Sequence, residues 1–374
     1  MSRRVRFYDT TLRDGEQMPG IAFDRGDRIA IARALDDLGV DEIELGFAAS
    51  GAPQREDMRA VVALGLRATT FSLARPLPGD LEAVLDTGVQ GISFFVSGSE
   101  EHLQHKLRKP FAEALEMMVR SVEAARAEGL IAHAALEDAT RTPLDRARAF
   151  AEAVWAAGGR RISLADTVGW GTPASVTALV QAVLDAAPGL AITLHPHDDF
   201  GLATANALAA IEAGATGLST TVNGIGERSG NGAMEECAAA LVLRLGYETG
   251  LDLAKLSAVS RLVAERSGVP IPPNKAVVGA NSFRHESGIH VAAILRHPRT
   301  YEPYDPALVG AERSIVLGKT TGRAAIRYLA GPAADALDDA ALARLMARIK
   351  EAAESGQAGE PGALEALIAA CREG

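Results

Sequence analysis

The chain has 374 residues, of which 48% are hydrophobic and 23% are charged, a composition that is typical of a globular protein and excludes a disordered or fibrous one. Its 38 basic and 48 acidic residues give a net charge of −10, which argues against binding to nucleic acids or anionic membranes. Two cysteines, Cys237 and Cys371, are too few for a disulfide framework. The sequence shows no signal peptide and no apolar run long enough to span a membrane, so we expect a cytoplasmic protein.

Up to about residue 247, short apolar segments typical of strands alternate with longer segments of helical periodicity. The eight predicted strands are residues 5–9, 42–46, 67–73, 91–96, 130–136, 161–165, 191–194 and 216–222. The helices that follow them are predicted, in the same order, at residues 25–38, 54–64, 81–87, 111–128, 144–157, 174–186, 202–213 and 233–245. Eight successive β-α units predict an α/β fold, a (β/α)8 TIM barrel, which typically takes about 250 residues.

A doubly wound open sheet is the alternative, but no glycine-rich phosphate-binding sequence follows the first strand. The alternation stops near residue 250, and the remaining chain combines an irregular, proline-containing stretch with Ala/Leu/Arg-rich helical segments. We therefore predict a TIM-barrel catalytic domain at residues 1–250 and a C-terminal linker and helical extension at residues 251–374. A turn is predicted at residues 356–362, between two helices of the extension.

Polar residues cluster directly after five of the predicted strands. The clusters begin at Asp9, Glu137, Asp166, His195 and Asn223. Active sites of TIM barrels are built from the loops at the C-terminal ends of the strands, so we expect these clusters to share one rim.

His195 and His197 lie two residues apart on a strand, so both imidazoles point to the same side. With a carboxylate from another strand end, for which Asp14 is the candidate, they form a site that leaves coordination positions open for a substrate. The alternative is a pair of buried, hydrogen-bonded histidines. Their position at a strand end, directly before Asp198 and Asp199, favours a metal. This ligand set suits Mg²⁺, Mn²⁺, Co²⁺ or Zn²⁺ without choosing among them.

Five further residues are candidates for a catalytic or binding role, and each of them also has a purely structural interpretation. Arg13 keeps its charge at working pH and suits an oxyanion or a substrate carboxylate, unless it only pairs with a rim acid. Glu137 is a base or a helix cap, and Thr167 is a donor to a substrate carboxylate or a cap. Asn231 joins the metal site or begins the eighth helix as its N-cap. His133 shares strand parity with Glu137 and faces the barrel mouth or is a core histidine.

These motifs resemble the Claisen-condensing branch of the DRE-TIM metallolyases, which contains homocitrate, 2-isopropylmalate and citramalate synthases. The segments that carry the resemblance are DTTLRDGEQ at 9–17, LHPHDDFGLA at 194–203, NGIGERSGN at 223–231 and ESGIHV at 286–291. The similarity extends over roughly residues 4 to 325.

The resemblance implies an enzyme that joins the methyl carbon of acetyl-CoA to the keto carbon of a 2-oxo acid and then hydrolyses the thioester. A divalent metal would chelate the 2-oxo acid, and acetyl-CoA would be the co-substrate. The metal ligands would be Asp14, His195 and His197. Asn231 would coordinate the metal or lie nearby.

The resemblance also implies roles for the other residues. Arg13 would neutralise charge on the carbonyl, and Thr167 would hold the carboxylate. Glu137 and His290 would take part in catalysis as acids or bases, and Tyr301, in the matching C-terminal segment, would be a further catalytic residue. His290 and Tyr301 would reach the active site of a partner subunit, which implies a swapped homodimer.

The short chain most resembles the nitrogen-fixation type of homocitrate synthase, so homocitrate synthase is the predicted activity. The alternatives are 2-isopropylmalate, citramalate and phosphonomethylmalate synthases. Leu73 stands where homocitrate synthases of lysine biosynthesis have a histidine, and Ser93 stands where isopropylmalate synthases commonly have one. Ala292 departs from the aspartate that is common after the fourth motif. The pocket for the distal group of the substrate therefore matches neither the homocitrate synthases of lysine biosynthesis nor the isopropylmalate synthases.

Several polar residues are candidates for binding the substrate in place of these histidines. Arg75 and His133 are candidates for a second acidic group, together with Ser97 and Ser99, and Gln17 lies in the opening motif. The chain has no room for the long regulatory domain of leucine-inhibited isopropylmalate synthases, so we do not expect leucine feedback by that route.

Two hypotheses come from other classes. A lyase of the hydroxymethylglutaryl-CoA type would need a catalytic cysteine in the loop after strand eight, but Cys237 falls within the following helix. A non-catalytic acyl-CoA or metal sensor is the other hypothesis. Retention of the whole set of site residues argues against it: Arg13, Asp14, Glu137, His195 and His197.

Overall fold

The computed structural model describes residues 4–335, 337–355 and 363–372, and the predicted turn at 356–362 lies outside them. The chain divides into two compact units, with the division between Ile271 and Pro272. None of the helices within the described ranges is both long and apolar enough to cross a membrane.

The first unit is a closed barrel of eight parallel strands, in which each strand pairs with the next and the last pairs with the first. The strands are β1 (Arg6–Asp9), β2 (Glu42–Phe47), β3 (Thr69–Ala74), β4 (Gly91–Ser97), β5 (Ile131–Glu137), β6 (Arg161–Asp166), β7 (Ala191–Pro196) and β8 (Gly217–Thr220). The predicted TIM barrel is confirmed, and the open doubly wound sheet is wrong because β1 and β8 pair from Arg6–Gly217 to Asp9–Thr220.

Helices follow every strand of the barrel. They are α1 (Arg25–Leu38), α2 (Ala52–Val62), α3 (Pro78–Leu85), α4 (Glu100–His102), α5 (Phe111–Ala127), α6 (Leu144–Ala156), α7 (Pro173–Ala186), α8 (Ala203–Glu212), α9 (Met234–Ala239) and α10 (Leu256–Ser267). α4 continues as a π-helical turn over Leu103–Leu107, and α9 continues as another over Ala240–Arg244. Because α10 packs against α1, the first unit extends beyond the predicted division at residue 250.

The first helix shows how local sequence sets these bounds. α1 begins with a capping box in which Asp24 and Asp27 each accept a hydrogen bond from the other's backbone N–H. It ends at Gly39, whose φ of 95° lies in the left-handed region that glycine adopts without strain. Ile31 and Leu35, one helical turn apart, are fully buried.

Strand alternation divides the side chains between two layers. On β6, Ile162 and Leu164 are fully buried, whereas Arg161, Ser163 and Ala165 line the inside of the barrel. Bulky branched residues normally fill a TIM-barrel interior. Here many of the inward positions are small, namely Ser93, Ala135, Ser163, Ala165, Thr193 and Ser219. They leave a cavity of about 320 Å³ inside the barrel, with its mouth among the C-terminal strand ends.

The second unit confirms the predicted helical extension. Its elements are β9 (Arg284–His285), α11 (Gly288–Ile294), β10 (Ser314–Ile315), α12 (Arg323–Ala330), α13 (Pro332–Asp335), α14 (Asp339–Glu354) and α15 (Ala363–Arg372), with β9 and β10 paired in parallel. One hydrophobic cluster joins α12, α14 and α15 through Ile326, Leu342, Leu345, Ile349, Leu364 and Ile368. A buried carboxylate, that of Glu302, accepts hydrogen bonds from Arg313 and lies 3.1 Å from Nε2 of His285.

Candidate active site

Three predicted metal ligands meet at the C-terminal rim of the barrel. Nε2 of His195 lies 3.5 Å from Oδ2 of Asp14, and Nε2 of His197 lies 4.0 Å from the same oxygen. All three side chains are buried, and their ligand atoms lie within 4.8 Å of one another. The two imidazoles come from the end of β7 and the carboxylate from the loop after β1, as strand parity and strand-end position predict.

Hydrogen bonds on the far side of each imidazole orient its Nε2. Nδ1 of His195 lies 2.8 Å from the hydroxyl of Ser219, and Nδ1 of His197 donates to the carbonyl of Gly230 over 3.2 Å. A carbonyl only accepts, so the proton of neutral His197 is on Nδ1 and the lone pair of Nε2 faces Asp14. Burial and the neighbouring His195 lower the pKa of His197 to about 4, which keeps its imidazole neutral at pH 7. Metal-binding histidines are held in this way.

Asn231 completes the group with a buried oxygen. Its Nδ2 donates to Oδ1 of Asp14 over 2.8 Å and to the carbonyl of Ile225 over 3.1 Å. Because both amide hydrogens are used, the orientation of the amide is determined, yet its Oδ1 is buried with no hydrogen-bond partner in the structure as described. A buried carbonyl oxygen of this kind suits a cation. Asn231 does not cap the eighth helix, because the N-cap of α9 is Ala233.

The backbone leaves space for this group only because residue 226 is a glycine. A Cβ at Gly226 would lie 2.0 Å from Nδ2 of Asn231 and 2.8 Å from Oδ1 of Asp14. The carboxylate of Asp14, the two imidazoles and the orphaned amide oxygen of Asn231 therefore form a possible site for a divalent metal.

Arg13 is held by two carboxylates at the edge of this group. Its Nη1 donates to Asp14 and its Nε donates to Glu44, which also accepts from the hydroxyl of Tyr8 over 2.8 Å. Burial alone would lower the pKa of Arg13, but Glu44 and Asp14 outweigh burial and raise it above its ordinary value. The guanidinium is therefore fixed and charged. Glu16, a further acidic residue of the opening motif, pairs with Arg28 and not with Arg13.

Glu137, at the end of β5, lies between the imidazole of His102 and the ammonium of Lys106, which come from the segment that links β4 to α5. Lys106 donates to its Oε1 over 2.5 Å, and Nδ1 of His102 lies 3.3 Å from its Oε2. Burial alone would raise the pKa of Glu137, but the contacts with His102 and Lys106 outweigh burial and lower it. The carboxylate lines the cavity and does not cap a helix, because the N-cap of α6 is Pro143.

Three of the predicted substrate-binding residues line the cavity. The hydroxyl of Thr167 accepts a hydrogen bond from the backbone N–H of Asp138 over 2.8 Å, so its own hydrogen is left to donate. Gln17 is exposed at the mouth. His133 is buried deeper and stacks on Phe71, with 4.4 Å between the ring centroids.

Ser97 and Ser99 are buried but do not line the cavity: the hydroxyl of Ser97 donates to the carbonyl of Glu137, and that of Ser99 caps α4.

Three other predicted residues are not brought to this cavity within the first unit. Arg75 is exposed and forms two hydrogen bonds with the carboxylate of Asp80, at 2.8 and 2.9 Å. His290 and Tyr301 belong to the second unit, where both side chains are exposed and their rings stack with 3.9 Å between centroids.

Sequence reasoning missed several residues of the cavity. Tyr8, Glu44 and Arg161 lie on strands at inward positions, so strand parity was the signal that would have found them. Lys106 comes from the π-helical turn after α4, for which the sequence shows no comparable signal.

A closed (β/α)8 barrel with a buried carboxylate and two imidazoles at its C-terminal rim defines a TIM-barrel protein with a site for a metal. The chain belongs to the HMGL-like family, whose model matches residues 4–263, and residues 277–357 match the model of the homocitrate synthase post-HMGL domain.

Named relatives support membership of the Claisen-condensing branch. The chain is 49% identical over 322 residues to homocitrate synthase AksA of Methanopyrus kandleri, with 86% of this chain and 81% of that one covered. It is 43% identical over 356 residues to a probable 2-isopropylmalate synthase of Ignicoccus hospitalis, with 95% and 89% covered. The HMG-CoA lyase of Brucella melitensis has a similar structure, with a TM-score of 0.63, 26% identity and coverage of 71% of this chain and 99% of that one. The predicted Claisen-condensing branch and class of enzyme are confirmed.

We expect the His197→Gln variant to lose bound divalent metal, since one of three convergent donors is removed. Metal content would be measured by elemental analysis after incubation with Mn²⁺ or Zn²⁺ and gel filtration. Ser219→Ala leaves all ligands in place but removes the partner of His195 Nδ1, so we expect its metal affinity to fall about 10- to 100-fold. His297→Gln, at an exposed histidine of the second unit, is the control. Wild-type metal content in His197→Gln would contradict the assignment.

Proposed function

We propose that this chain condenses acetyl-CoA with a 2-oxo acid and hydrolyses the thioester, and that it is a homocitrate synthase acting on 2-oxoglutarate. The observation that carries the proposal is that Arg13, Glu137 and Thr167 line the same cavity as the group of Asp14 and the two histidines. A base, a fixed cation and a hydroxyl donor are thus available to one bound substrate. The relatives named as homocitrate synthases, at 41–49% identity, support the specific activity.

Asp14, His195 and His197 would hold a divalent cation, Mg²⁺, Mn²⁺, Co²⁺ or Zn²⁺, with Asn231 beside it. When bound, such an ion supplies a Lewis acid for the keto oxygen and carboxylate of a 2-oxo acid. The hydroxyl of Thr167 donates to that carboxylate, and Gln17 contacts the substrate at the mouth. These protein groups orient the keto carbon toward the side of the cavity that carries Glu137.

Glu137 accepts a proton from the methyl group of acetyl-CoA, and the resulting carbanion attacks the keto carbon. As the carbon–carbon bond forms, the electron pair of the C=O bond moves to oxygen, where the guanidinium of Arg13 stabilises the negative charge. The alkoxide then takes up a proton to give the tertiary hydroxyl, which balances the proton that Glu137 accepted and releases. Water adds to the thioester carbonyl, its oxygen stays in the new carboxyl group, and CoA leaves as the thiol. The buried pairs of Arg13 hold it in place before the charge develops, so little reorganisation is needed.

His290 and Tyr301 supply further acid–base groups in this proposal, and they do so from the second subunit of a homodimer. Support comes from their exposure and their stacked rings in the second unit. We also propose that the protein is located in the cytoplasm.

A 2-isopropylmalate synthase is the second candidate, because the apolar Leu73 lines the cavity and relatives carry that name. A thiol-release assay with acetyl-CoA and Mn²⁺ separates the candidates. We expect faster CoA release with 2-oxoglutarate than with 2-oxoisovalerate, pyruvate or phosphonopyruvate. A higher rate on 2-oxoisovalerate would replace the substrate and keep the reaction class. No release with any 2-oxo acid would reject the reaction class.

Removal of the Lys106 ammonium tests the role of Glu137 as a base. In Lys106→Met the burial that raises the pKa of Glu137 is less opposed, so the carboxylate becomes protonated at a higher pH. We expect the acid limb of the pH profile of kcat/KM to move to higher pH, with less change on the alkaline side. Lys109→Met is the matched control, because Lys109 pairs with Glu113 away from the cavity. An unmoved acid limb in Lys106→Met would refute this role.

Mixing two inactive variants tests the swapped dimer. If His290 serves the partner's site, a dimer of one Glu137→Gln subunit and one His290→Ala subunit contains one intact site. Co-expression should then restore about one quarter of the wild-type activity, because half of randomly paired dimers are mixed and half of their sites are intact. Each variant alone is the control. Mixed dimers without activity would show that both residues act within one subunit.

A further inference from the structure

We propose that Arg28, on α1, is a positioning residue for Arg13. It holds the turn that carries Arg13 against the end of β2 and thereby sets the direction of the Arg13 guanidinium. The inference rests on the proposed function, in which Arg13 stabilises the charge that develops on the keto oxygen. Arg28 is not among the residues that line the cavity, so it acts through Arg13 and not on the substrate.

Arg28 lies on the buried face of α1, where the helical pattern favours apolar side chains. Ile31 and Leu35, three and seven residues further along, share this face and are fully buried. Only 4% of Arg28 is exposed. Arginine is almost never buried to this extent without a partner, so its contacts indicate what it does.

Two carboxylates from different parts of the chain fix the direction of Arg13. Its Nη1 donates to Asp14, in the turn after β1, and its Nε donates to Glu44, on β2. The guanidinium therefore keeps its direction only if the turn and β2 keep their spacing. A displacement of about 1 Å in a catalytic arrangement can lower a rate about 100-fold.

The sheet alone does not maintain this spacing. The pairing of β1 with β2 ends at Asp9 and Ile43, before the turn begins. On the opposite side, the backbone N–H of Thr10 donates to a carbonyl of β8 over 2.9 Å. β2 is also irregular here, because its register with β3 shifts between Glu44 and Phe47, and such a bulge leaves backbone groups outside the ladder. The turn therefore needs a further contact on its β2 side.

The guanidinium of Arg28 supplies this contact through a single nitrogen. Its Nη1 donates to the carbonyl of Leu12 over 3.2 Å and to the carbonyl of Leu45 over 3.4 Å. Leu12 directly precedes Arg13, and Leu45 directly follows Glu44. The two carbonyls thus flank the ion pair of Arg13 and Glu44, and Arg28 fixes the distance between the two backbones that carry it.

The remaining hydrogen bond of Arg28 holds the far end of the same turn. Its Nη2 donates to the carboxylate of Glu16, whose other oxygen accepts from the backbone N–H of Phe23 over 3.0 Å. Nε of Arg28 has no hydrogen-bond partner among the described residues, and a carboxylate oxygen of Asp57 lies 3.9 Å from it. The turn is therefore held at Leu12 and at Glu16, and the carboxylate of Glu16 compensates the buried charge.

A double-variant cycle separates positioning of Arg13 from a general structural role. The kcat and KM of CoA release would be measured for Arg28→Gln, Arg13→Gln and the double variant, with acetyl-CoA, Mn²⁺ and the 2-oxo acid that the wild-type protein uses. We expect Arg28→Gln to lower kcat about tenfold or more, with little change in the KM of the 2-oxo acid, because Arg13 acts on charge that develops in the transition state. In the Arg13→Gln background, the same substitution should cause no further loss.

Arg25→Gln is the matched control, because Arg25 is on the same helix but is exposed and pairs with Asp57. We expect it to keep the wild-type kcat. Arg28→Lys repeats the cycle with the positive charge beside Glu16 retained. We expect a smaller loss than in Arg28→Gln, since an ammonium lacks the planar fork of donors, and again no further loss without Arg13.

A crystal structure of Arg28→Gln gives a readout that does not depend on turnover. We expect Nε of Arg13 to lie beyond hydrogen-bond distance of Glu44 in this variant. An unmoved Arg13 would overturn the positioning role, and so would an unchanged kcat in Arg28→Gln, an increase in KM as its main effect, or losses that multiply in the double variant. A displaced Arg13, together with no CoA release by the wild-type protein on any 2-oxo acid, would retain the positioning role and reject the condensation.

Discussion

The arrangement of side chains at the C-terminal rim of the barrel depends on one buried carboxylate. Asp14 lies in the loop after β1, yet it contacts Arg13, Asn231 and the two imidazoles of β7. Burial alone would raise its pKa, but Arg13 and the hydrogen bond from His195 outweigh burial and hold the pKa well below its ordinary value. A charged carboxylate in this position attracts cationic and polar groups from three strand ends, and it ties them into one site.

The cavity below this carboxylate exists because small side chains line it and because the charged residues inside it form ion pairs. Residues such as Ser163 and Ala165 replace the bulky layers that usually fill a barrel. Glu44 compensates Arg13 on one side, and Glu42 compensates Arg161 at the floor. A buried charge without such a partner would cost several kcal/mol, so the ion pairs allow a polar cavity inside a folded barrel.

Much of the fold was predictable, because burial on both faces of a parallel sheet leaves strong apolar strands between amphipathic helices. The predicted bounds of α1 are those of the structure, since a capping box and a left-handed glycine mark its ends. The grouping of Asp14, His195 and His197 was predictable for a related reason, because these residues lie at strand ends with defined parity. Asp80 captures Arg75, and that pairing depends on where α3 begins, which no pattern of the sequence reveals.

The sequence by itself determined the number of β-α units, the polar strand ends and the motifs that the HMGL-like family shares. These are local properties, set by periodicity and by side-chain chemistry along the chain. Only the tertiary structure decided which charges meet inside the barrel: Lys106 with Glu137, and Arg161 with Glu42. Residues 42 and 161 lie far apart in sequence, and closure of the barrel brings their side chains together, because inward positions of all eight strands face one axis.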